Sequence, residues 1–150
     1  MKAAIDTSVL VSALHRAHPH HEDARAWLEA AMRKDAVAFV TTHALAETWS
    51  VLSRIPGPNR LSPARVRDMV RRIEDVVTVV PLDVGDYRSA IDRCANRGFS
   101  SGVVFDALHL VAAERVGAEL LLTFNLNDFV RLQGQATPRI VSPSEAAPTA

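Results

Sequence analysis

Apolar residues fall into two rhythms along this chain: short unbroken runs, and longer stretches where they recur every three or four positions. Their alternation predicts strands interleaved with helices. Ala3–Ile5, Val37–Val40, Thr78–Leu82 and Glu119–Phe124 read as strands, with Arg139–Val141 as a fifth at an edge. Helical spacing marks Ser8–Leu14, Pro19–Met32, His43–Ile55, Ser62–Asp75, a stretch from Asp83 through Cys94, and Val103–Arg115. Asn125–Leu132 reads as a turn with a short helix. Thr7 or Ser8 is expected to cap the first helix, and Pro19 to open the second. Pro56-Gly57-Pro58-Asn59 breaks the third, and Gly98 and Gly117 close two later ones. Tyr87, Ala90, Ile91 and Cys94 form one expected apolar stripe, and Val66, Met69, Val70 and Ile73 another.

Apolar strands alternating with helices imply an α/β fold whose parallel sheet is covered on both faces. One unit over residues 1–141, followed by a flexible tail over 142–150, accounts for the whole pattern. Sheets of this kind place their chemistry beyond the carboxyl ends of the strands. Asp6, Thr123 and Asn125 fall at that edge.

Charge and composition then narrow the function. Seventeen Lys plus Arg balance seventeen Asp plus Glu in 150 residues, which excludes a uniformly basic nucleic-acid binder. The balance hides segregation, because Arg54, Arg60, Arg65, Arg67, Arg71 and Arg72 lie in a segment with a single acid, Asp68. That segment reads either as an RNA-binding rim holding phosphates or as a solvated helix face. Cys94 is the only cysteine, so neither a disulfide within the chain nor a cysteine-rich zinc site can form, as suits a cytoplasmic protein. No apolar run approaches the roughly 20 residues that span a bilayer, and Met1–Asp6 lacks a signal-peptide core, so no membrane association is expected.

Three acids stand where the apolar pattern calls for carbon. Asp6 directly follows the first strand; Glu47 shares a helix face with Ala44, Val51 and Ile55; Asp106 lies with Val103, Leu110 and Ala113 in a helix apolar nearly all round. A buried carboxylate is costly unless it is paired or bound to a metal. Singly, each has a structural role open to it: Asp6 as a helix cap, Glu47 paired with an arginine, Asp106 paired with His109. Jointly, acids gathered at one sheet edge repel unless something neutralises them, and a divalent cation does so. Oxygen donors select Mg²⁺ or Mn²⁺ over zinc, and carboxylate-held Mg²⁺ suits phosphodiester hydrolysis by activated water. Thr123, Asn125, Asn127 and Asp128 add a hydroxyl, two amides and another acid at the fourth strand end.

These residues resemble the signatures of the PIN-domain ribonucleases, in particular the VapC-like toxins of toxin–antitoxin pairs. Ile5-Asp6-Thr7-Ser8-Val9-Leu10 is similar to the family's opening, Ala46-Glu47 to its second acid, and Phe105-Asp106-Ala107-Leu108-His109 to its third. Leu121-Leu122-Thr123-Phe124-Asn125 with Asp128-Phe129 resembles its closing motif. The resemblance implies a three-layer α/β/α sandwich with a mainly parallel sheet of four to five strands. It implies Mg²⁺- or Mn²⁺-dependent cleavage of single-stranded or structured RNA, a homodimer, and neutralisation by a cognate antitoxin in a heterotetramer or larger assembly. Asp6 and Asp106 correspond to direct metal ligands, with Glu47 joining directly or through water, and Thr7, Ser8 and Thr123 to supporting hydroxyls. Asn125 departs from the family's usual Asp, so Asn125 or Asp128 supplies the fourth group, with one metal or two.

Other readings account for less. An aspartyl-phosphate enzyme wants Asp-x-Asp after the first strand, where this chain has Asp6-Thr7-Ser8, and a dinucleotide site wants Gly-x-Gly-x-x-Gly, which is missing there. His15, His18, His20 and His21 fit a solvated connection better than a metal site. Trp27 and Trp49 read as packing anchors, and His43 and His109 as structural or supporting groups. The alternative within the family is a catalytically weak module that binds RNA or a partner.

Overall fold

The structure, a computed structural model, describes residues 1–148. Strands β1 (Lys2–Ile5), β2 (Val37–Thr41), β3 (Thr78–Val80), β4 (Leu120–Leu122) and β5 (Arg139–Val141) form one sheet, ordered β3-β2-β1-β4-β5, with every neighbouring pair parallel. The helices are α1 (Thr7–Leu14), α2 (His21–Met32), α3 (Thr42–Ser53), α4 (Pro63–Glu74), α5 (Val84–Asn96), α6 (Val103–Arg115) and α7 (Leu126–Val130). None of them, among the described residues, is long and apolar enough to cross a membrane.

The period-two alternation of the central strands separates the two faces. Ala3, Ile5, Leu120 and Leu122 pack with Val9 and Leu10 of α1 and with Trp27 and Ala30 of α2. Ala4 and Leu121 face the other way, onto Ala90 and Cys94 of α5, Leu108 and Leu110 of α6, and Phe129 of α7. A third cluster, Leu52, Val66 and Val70, joins α3 to α4 outside the sheet. Helices therefore cover both faces.

Register then brings the strand ends level. Ile5 pairs with Leu122, Thr41 with Val80 and Leu122 with Val141, so Asp6, Thr42 and Thr123 leave the sheet along one edge. Two helices start there on caps supplied by the strands: the Asp6 carboxylate accepts from the Ser8 amide, and Thr41 Oγ1 accepts from the Ala44 amide. Thr7 and Ser8 themselves belong to α1.

Several expected boundaries move. α2 begins at His21 rather than Pro19, because residues 15–21 form a turn in which the His18 amide donates to His15 O and the His21 amide to His18 O. β3 stops at Val80, before Pro81, which has no amide to donate to a ladder. β4 ends at Leu122, and Thr123 adds one more bond, to Val141 O. The α5 stripe is half as wide as expected: Ala90 and Cys94 are buried, whereas Tyr87 and Ile91 are exposed. Trp27 is fully buried but Trp49 is exposed. In the segment expected to be a tail over 142–150, Ala146 is buried and accepts a 2.9 Å hydrogen bond from Trp27 Nε1, and Ser144 Oγ donates to Asp23, while positions 149 and 150 lie outside the described residues.

Candidate active site

Asp6 anchors the edge. It is only 4% exposed, and its Oδ2 accepts from Ser8 Oγ at 2.7 Å and Thr123 Oγ1 at 2.9 Å, besides the Ser8 amide at 3.3 Å. These donors come from α1 and from the end of β4, so parallel pairing of β1 with β4 is what assembles them. Ser8 Oγ in turn accepts from the Phe124 amide, and Thr123 Oγ1 from the Asn125 amide. Asp6 Oδ1 makes no hydrogen bond among the described residues and lies 3.7 Å from His109 Nε2.

Around it, α3 and α6 bring a second set of groups. Glu47 Oε1 accepts from Thr7 Oγ1 at 3.1 Å and lies 2.9 Å from His109 Nε2, while His109 Nδ1 meets Thr41 Oγ1 at 3.0 Å. His43 Nε2 lies 3.2 Å from the same glutamate oxygen but makes no hydrogen bond among the described residues, although that nitrogen is buried. Sequence spacing suggested an Asp106–His109 pair. Instead His109 turns to Glu47, and Asp106 has no hydrogen bond or ion pair among the described residues.

The electrostatics follow. Burial, reinforced by the Asp6 charge and by Asp128 and Glu47, pushes the Asp106 carboxyl up to about 6, with His109 pulling the other way. Burial alone would lower His109, but its Glu47 hydrogen bond and the Asp6, Glu47 and Asp106 charges raise it. For Glu47, burial is outweighed by the His109 hydrogen bond, the His109 and His43 charges and the Thr7 hydroxyl, so its carboxyl is held low. One buried imidazole thus faces several carboxyl groups.

An ion has a place in this arrangement. The donors are oxygens, the negative charge exceeds what His109 balances, and both Asp6 Oδ1 and the Asp106 carboxylate lack hydrogen-bond donors. Those observations fit a hard divalent cation. No three acidic, imidazole or thiol groups among the described residues already stand at the spacing of an ion's ligands.

The remaining sequence candidates separate. Asp128 lies in the first turn of α7, close enough for its charge to act on Asp106, and pairs with Arg131 at 3.1 Å. Asn125 is exposed at the start of α7, and its side chain caps nothing. The arginines do not form one rim. Arg60, Arg65 and Arg72 line a cleft of about 1520 Å³ between α1–α2 and α4. Arg54 ends α3, Arg67 pairs with Asp68, and Arg71 lies in the last turn of α4. His109, Thr41 and His43 join the acids although none was singled out as a site residue; the three-residue step from Asp106 to His109 was the available signal for His109.

Comparison with known proteins adds a family. The PIN domain model matches residues 3–135. Ribonuclease VapC40 of Mycobacterium tuberculosis is 35% identical over 118 residues, spanning 79% of this chain and 83% of its own. The crystal structure of Mycobacterium tuberculosis VapC20, a sarcin-ricin loop cleaving toxin, superimposes with a TM-score of 0.69 at 19% identity, over 91% of this chain and 99% of that one. VapBC2 from Rickettsia felis, bound to a DNA fragment from their promoter, gives a TM-score of 0.62 at 18% identity, over 95% and 98%. At these identities the two structures speak for the fold.

Proposed function

This chain belongs to the PIN-domain family, and from that premise we propose that it is a VapC-like ribonuclease, the toxin of a toxin–antitoxin pair, working in the cytoplasm. The observation that carries this reading is the gathering of Asp6, Glu47, Asp106 and Asp128 around one edge with too little positive charge to balance them. Asp6 and Asp106 would hold a divalent ion, Mg²⁺ or Mn²⁺, with Glu47 directly or through water and Asp128 as the fourth acid. When bound, such an ion would supply Lewis-acid polarisation of the phosphodiester and a water of lowered pKa.

The chain's own groups set the stage for that chemistry. Ser8 and Thr123 hold Asp6 Oδ2, so that Oδ1 points out of the hydrogen-bond cluster. Thr7 and His109 hold Glu47, and Thr41 fixes the far nitrogen of His109. Each partner keeps a carboxylate oriented before substrate arrives, which lowers the reorganisation the reaction requires. Asn125, exposed at the start of α7, would offer RNA an amide without adding negative charge.

Two surfaces suit protein partners. The cleft between α1–α2 and α4 is lined by Leu14, Leu28 and Met69 with Arg25, Arg60 and Arg65, which fits an antitoxin segment carrying both apolar and acidic side chains. Val84, Tyr87 and Ile91 are 65%, 43% and 54% exposed on one face of α5, which suits a second copy of the chain in a homodimer.

Cleavage of RNA by antitoxin-free protein tests the reading. Activity is expected with Mg²⁺ or Mn²⁺, to stop with chelator and to return on adding metal. Asp6→Ala and Asp106→Ala should each lower the rate about a hundredfold or more, since metal-held charge stabilisation is worth several kcal/mol. Cutting that survives chelation, or survives either substitution, contradicts the assignment; RNA binding without cutting identifies a binding module instead.

A further inference from the structure

We propose that two ring stacks beside the acidic centre, His43 on Phe105 and His20 on Phe124, are platforms for unpaired RNA bases next to the phosphate to be cut. This rests on the ribonuclease reading and deepens it toward the substrate.

The first stack has ring centroids 5.0 Å apart and planes 16° apart. Phe105 immediately precedes Asp106 and is 45% exposed, while the His43 ring reaches within 3.2 Å of Glu47. In the second stack, centroids are 4.6 Å apart and planes 17° apart. The Phe124 amide donates to Ser8 Oγ, which donates to Asp6 Oδ2, so this stack stands two hydrogen bonds from Asp6. His18 tilts against both of its rings.

The two stacks come from different parts of the fold. One joins α3 to α6, and the other joins the α1–α2 connection to the loop after β4. Each includes an exposed ring, Phe105 or His20, beside the acids toward which the phosphate must come. An exposed phenylalanine in that place adds little to folding, since water still covers nearly half of it. It does offer a flat face to a base. Such grip is valuable here because the neighbouring carboxylates repel the RNA backbone, so attraction that carries no charge must supply part of the affinity. Every base has a π face, but only an unpaired base can leave its neighbours to use it. The two stacks thus assign particular rings to the unpaired strand that the family resemblance already implies as substrate.

A short single-stranded RNA containing 2-aminopurine, whose fluorescence is quenched on stacking, reads this directly. Antitoxin-free protein carrying Asp106→Asn keeps the strand uncut. Quenching is expected on binding, with Phe105→Leu and His20→Ser each weakening affinity roughly tenfold and reducing the quench. Phe105→Trp should retain both, and unchanged thermal melting of the leucine variant would show that folding is intact. The same sequence in a duplex should bind weakly and ignore the substitutions. Equal affinity and equal quench across all variants would overturn the proposal. So would Phe105→Leu weakening antitoxin association while leaving RNA binding unchanged. If the wild-type chain cuts no RNA with either metal yet the quench and its loss are seen, the platforms stand and the ribonuclease reading falls.

Discussion

Asp6 and Asp106 share a sheet edge but are treated oppositely by their neighbours. Asp6 is buried and receives three donors on one oxygen, whereas Asp106 receives none and is pushed up to about 6, chiefly by burial and by the Asp6 charge. A carboxyl whose folded value is raised opposes folding once pH climbs above its unfolded value, and the opposition is complete above the folded one. Asp106→Asn should therefore stabilise the metal-free protein at pH 7 by about 1–2 kcal/mol, with the gain shrinking as pH falls from about 6 to about 4 and absent below that. Thermal melting across that range checks it, and a loss of stability at pH 7 would show that Asp106 is better compensated than its surroundings indicate. The acids were legible because charges interrupted apolar stripes. Their partners were not, since Glu47 and His109 meet across 62 positions of sequence through the relative placement of α3 and α6, which no local spacing encodes.

At the scale of elements, each strand-to-helix junction along the edge serves both folding and the site. Periodicity disclosed every strand and helix of the sheet, because burial on two faces requires apolar runs and burial on one face requires a stripe. Ends were less legible. The start of α2 depends on a turn within His15–His21, and the exposure of Tyr87 and Ile91 depends on α5 contacting the sheet layer through a narrow strip. α5 and α6 are clasped by Asp86, which accepts from the amide of the N-cap Asp83 to complete the capping box of α5 and accepts from Arg115 at 2.9 and 2.8 Å. Burial alone would raise Asp86, but the Arg115 hydrogen bonds, the Asp83 amide and the Arg115 charge outweigh it and hold the carboxyl low. A depressed carboxyl stabilises the fold above its unfolded value, near 3.8, and that stability disappears as pH falls through the folded value. Asp86→Asn should accordingly cost about 2 kcal/mol at neutral pH and almost nothing in strong acid. Denaturant melts at both ends of the range measure this, and a cost independent of pH would mean that capping geometry rather than charge sustains the clasp.

For the whole molecule, zero net charge conceals a division of labour: acids gather at the carboxyl edge of the sheet, while arginines line the cleft between α1–α2 and α4. The arginine-rich segment was visible in composition, but its division between cleft and solvent was not, since that depends on how α4 leans on α3. The exposed α5 face leads to a separate expectation. Ile91→Glu should convert a dimer to a monomer in light scattering while leaving the fold unchanged by circular dichroism, and an unaltered mass would place the dimer contact elsewhere. The central claim concerns the acidic edge, and calorimetric titration of Mn²⁺ into antitoxin-free protein tests it most directly. Saturable binding is expected in the wild type, at least tenfold weaker after Asp6→Asn or Asp106→Asn; equal binding by all three, or none by the wild type, would contradict it.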